Sequence, residues 1–213
     1  FISTVNPEVR TKVARNLLNE YGYFDGATDF QILPDPKNDR KAKISYFIEM
    51  EHPYTYDSIQ YMRIRPRADS LIRAEIGNRL LYDGENFNIV KMQAERERIS
   101  SLLRDNGYYY FRPDFIVYQA DTLLHPGKVA LRVLPKESLP PTALRPWRLG
   151  RISVWLHGYS NEQPTDSVRY KDLTIHYEGK LRVRPSALYN RLYFKPGDLY
   201  SQAQQQKSQT ALS

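Results

Sequence analysis

Hydrophobic positions change period along this chain in a set order. From Tyr54 to Arg65 apolar and polar residues partly alternate, as in a strand with one buried face. Pro66 breaks that run, and Ala68 to Leu81 then places Leu71, Ile72, Ile76 and Leu80 on one helical face. The turn "DGEN" (Asp83 to Asn86) leads to a second helical pattern, carried by Ile89, Met92, Ile99, Leu102 and Leu103. Asn88 is its N-cap candidate, and it ends near Asn106. Gly107 follows where a helix end favours a left-handed residue. Asp114 to Ala120 and Val129 to Leu134 read as strands on either side of the turn "DTLLHPGK". The predicted order is β-α-α-β-β.

Parts of that order occur again. "LLNEYGYF" (Leu17 to Phe24) is an earlier version of "LLRDNGYYYF" (Leu102 to Phe111). The shift that lays Gly22 on Gly107 also lays Tyr23 on Tyr108, Asp29 on Asp114 and Phe30 on Phe115. It then carries Ile44, Tyr46 and Ile48 onto Val129, Leu131 and Val133 without a gap. A register held that far indicates a duplicated unit. A second shift lays Tyr54 on Trp147, Ile59 on Ile152 and Tyr61 on Val154. A third lays Gly84 on Gly197, Glu85 on Asp198 and Phe87 on Tyr200.

The chain therefore divides into the C-terminal part of one unit (1–52), a complete unit (53–138) and the N-terminal part of a third (139–213). In the first, Asn6 and Pro7 are N-cap and first helical residue, with Val9, Val13 and Leu17 on one face. The third carries an insertion at about 158–184, in which "DLTIHYEG" reads as an extra strand or hairpin. Both ends read as cuts in a longer chain. The short link Glu51-His52-Pro53 predicts a stiff first junction, and "PKESLPPTALRP" a looser second one.

With 41% hydrophobic and 26% charged residues, the 213-residue chain has enough apolar material for one sizeable core or several small ones. No apolar run approaches the ~18 residues of a membrane-spanning helix. The excess of 31 Lys+Arg over 24 Asp+Glu, net +7, permits anionic partners but is spread along the chain, as on a solvated surface. Zero cysteines exclude disulfides, thiolate metal sites and cysteine nucleophiles.

Candidate chemistry is sparse. His52, His125, His157 and His176 lie in separate segments without metal-ligand spacing. Glu95 and Glu97 are two residues apart on a helix, so they face different ways and read as solvated charge. Arg63, Arg65 and Arg67 form a phosphate-clamp candidate, for which a surface helix start is an equal explanation. "GYYYF" reads as core and turn packing more readily than as a stacking platform, because the first copy repeats it in register. No phosphate loop, nucleophile elbow or catalytic dyad is visible.

The β-α-α-β-β order, with a "G-[ED]-x-[FY]" turn before the second helix and a glycine-aromatic turn after it, resembles the POTRA (polypeptide-transport-associated) domain. The positions that carry the resemblance are Gly22, Tyr23, Phe24, Gly84, Gly107, Tyr108 and Gly197. The resemblance implies an α+β fold of tandem POTRA repeats, each a three-stranded mixed sheet covered on one face by two helices. It implies the periplasmic arm of a BamA- or TamA-type outer-membrane barrel protein, with a membrane barrel beyond Ser213. The decorated last copy is most similar to the TamA-like branch.

Its partners would be unfolded outer-membrane protein substrates and envelope assembly proteins, with no cofactor, metal, small molecule, nucleic acid or enzymatic activity. The second strand would be an exposed edge, here Asp29 to Leu33 in the first copy and Asp114, Phe115, Ile116, Val117 and Tyr118 in the second. An open edge offers unpaired N–H and C=O groups to an extended segment of another chain. A purely architectural spacer and a basic nucleic-acid-binding module remain as alternatives.

Overall fold

The computed structural model describes residues 5–61, 63–156 and 164–213. His157 and the first part of the inserted segment lie outside them. Two compact units are present, one of Phe1–Arg63, Glu75–Arg96 and Ile116–Pro135, the other of Ile64–Ala74, Glu97–Phe115 and Lys136–Ser213.

The first unit begins with helix α1 (Pro7–Glu20). As the sequence pattern predicts, the Asn6 side chain accepts the Val9 N–H, at 3.2 Å, and Pro7 opens the first turn. Strands β1 (Ala27–Asp35) and β2 (Asn38–Glu49) form an antiparallel hairpin. The Thr28 hydroxyl, donating to the Thr11 carbonyl at 3.1 Å, ties it to α1.

A second sheet is built from β3 (Thr55–Tyr61), β4 (Ile116–Asp121) and β5 (Lys128–Pro135) in the order β3-β5-β4. Here β3 and β5 run parallel, and β4 is antiparallel to β5. The alternation read in β5 is an inward face: Val129, Leu131 and Val133 are all buried. Val129 and Leu131 join Tyr56, Leu81, Phe87 and Met92 in one apolar core. In the first copy, by contrast, Tyr46 and Ile48, the counterparts of Leu131 and Val133, are exposed, on a sheet that has two strands among the described residues.

Helices α2 (Pro66–Ala74) and α3 (Ile89–Asp105) complete the β-α-α-β-β order of the middle repeat. Asn88 caps α3 by accepting the Lys91 N–H. The earlier helix is shorter than the expected Ala68 to Leu81. Pro66 starts it instead of merely ending the strand, and beyond Ala74 the chain passes through a 3-10 turn (Ile76–Asn78). Gly77 and Asn78 propagate helix poorly, and the Leu80 N–H is captured by the Glu95 carboxylate at 3.0 Å. Glu95 is thus not the solvated charge that its spacing from Glu97 suggests. Fully buried, it also accepts the Tyr61 hydroxyl at 2.8 Å, while Glu97 is exposed.

The second unit contains a third sheet, of β6 (Ile152–Trp155), β7 (Asp166–Tyr170) and β8 (Leu173–Tyr177), followed by α4 (Pro185–Arg191) and α5 (Gln202–Leu212). "DLTIHYEG" does supply a hairpin strand, but that hairpin is more than a decoration. Its strand β8 lies parallel to β6 and antiparallel to β7, giving the order β6-β8-β7. This is the arrangement of the middle sheet, assembled before the helices instead of after them. Leu173, Ile175, Leu188 and Leu192 form its core. Ser208, buried on α5, accepts the Tyr193 N–H at 2.9 Å and so fixes α5 to the segment after α4.

Candidate functional site

The edge-strand residues divide between two conformations. Ile116, Val117 and Tyr118 lie in β4, which extends to Asp121, whereas Asp114 and Phe115 belong to a 3-10 turn (Pro113–Phe115). The expected strand is corrected accordingly. Pro113 fixes φ and cannot donate to a ladder, and the Phe115 N–H bonds back to the Arg112 carbonyl at 3.1 Å. The Asp114 carboxylate is paired locally with Arg112. The Phe115 ring stands edge-on to buried Phe111, 5.8 Å between centroids.

Within β4 the side chains alternate. Ile116 is buried, and Tyr118 packs against the core of the middle sheet with its hydroxyl donating to the Met92 carbonyl at 2.7 Å. The Arg96 guanidinium lies 4.8 Å from the centre of the Tyr118 ring. Val117 and Gln119 alternate with these anchors. Strand β4 pairs only with β5, so its other edge has no strand partner among the described residues. In the first copy, β1 likewise pairs only with β2.

The glycine positions come together in a way that the sequence read in pieces does not show. In the first unit, the Tyr54 N–H donates to the Gly22 carbonyl (2.9 Å), and the Phe87 N–H to the Tyr54 carbonyl (2.8 Å). There too, the Gly84 N–H donates to the Tyr56 carbonyl (2.7 Å), and the Tyr56 N–H to the Glu85 carbonyl (2.8 Å). In the second unit the same four bonds recur. Trp147 N–H reaches the Gly107 carbonyl (2.8 Å), Tyr200 N–H the Trp147 carbonyl (3.0 Å), Gly197 N–H the Leu149 carbonyl (2.8 Å) and Leu149 N–H the Asp198 carbonyl (2.8 Å).

These are the residues that the three sequence shifts match, so the matched positions are bonding partners. Each clamp joins the glycine turn of one repeat to the first strand and "G-[ED]-x-[FY]" turn of the next. The longer second linker leads into the same four bonds. Part of it is folded down: Ala143 is buried and the Trp147 indole donates to the Thr142 carbonyl at 2.9 Å.

Only glycine fits the turns. Gly22 and Gly107 have φ of +86° and +100°, ending α1 and α3 in Schellman fashion with Tyr23 N–H on Leu18 and Tyr108 N–H on Leu103. A Cβ at Gly107 would meet the Pro146 side chain at 2.9 Å, and one at Gly22 would meet Phe87 at 3.0 Å. Tyr23 is partly buried, Phe24 packs on the middle core, and Tyr108 is buried. Burial pushes the Tyr108 phenol above its ordinary pKa. It does the same to Tyr56, against the opposing pull of a hydrogen bond with Asn88.

Other candidates do not converge on a centre. Among the described residues no group of three or more histidines and carboxylates could hold a metal ion. His125 is paired with Asp57 at 3.0 Å. Arg63, Arg65 and Arg67 are all exposed. No described helix is long and apolar enough to cross a membrane.

No family model and no curated protein matches the chain. Solved structures do. Haemophilus influenzae BamA POTRA3-5 is 12% identical, with a TM-score of 0.46, covering 96% of this chain and 67% of that one. The N-terminal domain of Omp85 from the thermophilic cyanobacterium Thermosynechococcus elongatus is 16% identical, with a TM-score of 0.28, over 96% of this chain and 70% of that one. POTRA1-3 of the periplasmic domain of Omp85 from Anabaena gives 14% and 0.29, over the same shares. The element order and sheet order of the middle repeat agree with the POTRA resemblance.

Proposed function

We propose that this chain is a tandem-POTRA periplasmic arm of an outer-membrane assembly protein, and that it holds unfolded outer-membrane proteins or envelope partners along β4. The observation that carries this reading is the position of β4 at the end of the β3-β5-β4 sheet, paired among the described strands with β5 alone. Its inward residues are anchored by core packing, so the strand is held extended before any partner arrives. Backbone pairing is largely indifferent to side chains, which suits a handler of many precursors. The role is non-catalytic binding and scaffolding, and the inserted hairpin of the third repeat is the feature that supports a TamA-like assignment.

A proline scan from Val117 to Asp121 tests it, read by crosslinking to an unfolded barrel-strand peptide and by circular dichroism. In a strand, N–H groups alternate between the partner strand and the open side. Prolines facing β5 should disturb the sheet, and those facing outward should keep the fold and lose the crosslink. Undiminished crosslinking in every variant that keeps its fold would overturn edge binding. The two clamps favour a second reading, a spacer that sets the distance between a barrel and its partners, under which outward-facing variants are silent in assembly assays as well.

A further inference from the structure

The phrase "GYYYF" splits its residues between two environments. Tyr108 and Phe111 are buried, while Tyr109 and Tyr110 between them remain 44% and 47% exposed. With Trp147, Phe194, Tyr200 and Arg148 they line a groove of about 400 Å³ in the second unit. Its rings meet edge to face: Tyr109 on Tyr110 at 4.8 Å, Tyr109 on Tyr200 at 4.7 Å and Tyr110 on Trp147 at 5.3 Å. Perpendicular rings fixed by buried neighbours leave slots that no side chain of the chain has to be rearranged to open.

The clamp itself does not require this surface. At the equivalent positions the first clamp has Phe24 for Tyr109, Asp25 for Tyr110, Tyr54 for Trp147, Phe87 for Tyr200 and Thr55 for Arg148, with the same four backbone bonds. The added aromatic groups are therefore not needed for the four backbone bonds.

We infer that the groove binds a proline-rich, acidic polypeptide segment in the polyproline II conformation. The Trp147, Leu149, Gly197 and Tyr200 N–H groups are all committed within the clamp, so an incoming β-strand finds few backbone partners among them. A polyproline II segment needs none. Its pyrrolidine rings fill aromatic slots, and its solvated carbonyls accept hydrogen bonds from tyrosine hydroxyls. The acidic character follows from the rim. Arg148 and Arg145 are exposed, the first holding the Gly197 carbonyl at 2.7 Å and the second lying 4.3 Å from the Trp147 ring centre.

The test is a fluorescence titration of the full chain in a Trp155→Phe background, which leaves Trp147 as the one reporter of the two tryptophans. The probe is a peptide of repeating Pro-Pro-Glu. Controls are Pro-Pro-Lys repeats, a strand-forming Thr-Val-Glu repeat and oligothymidylate. Saturable quenching by Pro-Pro-Glu is expected, with each control at least about tenfold weaker, a difference of ~1.4 kcal/mol. Tyr110→Asp and Arg148→Glu should each weaken the probe by a similar factor with unchanged circular dichroism. If Tyr110→Asp disturbs the fold, Tyr110→Phe, which removes only the hydroxyl, and Arg148→Glu decide. Absent or unsaturable quenching, equal binding of any control, or folded variants that bind as well as the parent would each overturn the inference.

Discussion

The two glycine clamps share a backbone and differ in almost everything around it. In the first, Asp25 accepts a hydrogen bond from the Tyr54 hydroxyl, which raises the phenol's pKa, and Phe24 packs against Tyr54 and Phe87 at 5.1 Å. In the second, Tyr110 meets Trp147 edge-on in place of that hydrogen bond. The second clamp also has ties on its far side. The Arg104 guanidinium donates to the Tyr200 hydroxyl, and Asp105 accepts from the Ser201 hydroxyl and from the Ala203 N–H at the start of α5. An acid at a helix N-terminus is favourable for unpaired N–H groups and for the helix dipole. The backbone bonds thus define the joint, while side chains are free to turn one copy inward and the other toward solvent.

If the backbone geometry is what the copies share, the largest loss should come from either turn glycine. Gly22→Ala and Gly107→Ala combine positive φ with a contact near 3 Å and should each cost about 2–4 kcal/mol in urea unfolding. Gly84→Ala, whose Cβ meets nothing within 4 Å, should cost only about 1–2 kcal/mol for the backbone conformation. Equal losses at Gly84 and Gly107 would show that close approach is irrelevant.

Glu95→Ala should follow at about 1–3 kcal/mol, since it removes the acceptor of the Leu80 N–H and the Tyr61 hydroxyl from a buried site. Glu97→Ala, on the exposed side of the same helix, should be within ~0.5 kcal/mol of the parent. A Glu95 variant as stable as the Glu97 one would return Glu95 to the surface charges.

Alkaline pH separates the buried phenols from the exposed ones. The folded pKa values of Tyr56 and Tyr108 lie above the unfolded value near 10. Their contribution to stability is therefore complete below that value and lost as pH rises through the folded ones. Chemical-denaturation midpoints should fall above about pH 10, and Tyr56→Phe should flatten the fall. A parent midpoint independent of pH from 9 to 11, or a variant with the parent's slope, would exclude these phenols as the cause.

The smallest effect is expected where the copies differ. Tyr110→Asp, which restores the first clamp's residue, should change stability by no more than ~0.5 kcal/mol. A larger thermal-melting shift would mean that the exposed ring helps hold the joint.

Hydrophobic periodicity and the repeats made the middle repeat legible, including the N-cap at Asn88, the turn at Gly107 and the inward face of β5. The end of α2 was not, because a long-range acceptor, Glu95, takes the Leu80 N–H, and spacing along one helix carries no sign of that partner. Asp114 and Phe115 were misplaced for a local reason, the proline before them. In "GYYYF" the period that placed Tyr108 in the core says nothing about its neighbours, whose exposure depends on Trp147 and Tyr200 far along the chain. The clamps were within reach of the sequence, since the three shifts identify the same residues, but superposition reveals equivalence and not bonding.

The order β6-β8-β7 has a consequence for how the molecule folds. The strands of the third sheet are near neighbours in sequence, with Ile152 opposite Leu173, while the middle sheet must bring Thr55 to Lys128 across two helices. Closing the longer loop costs about 1 kcal/mol more in chain entropy. Because folding rates fall with the sequence separation of contacting residues, the third sheet should form faster than the middle one, without waiting for the residues that follow it.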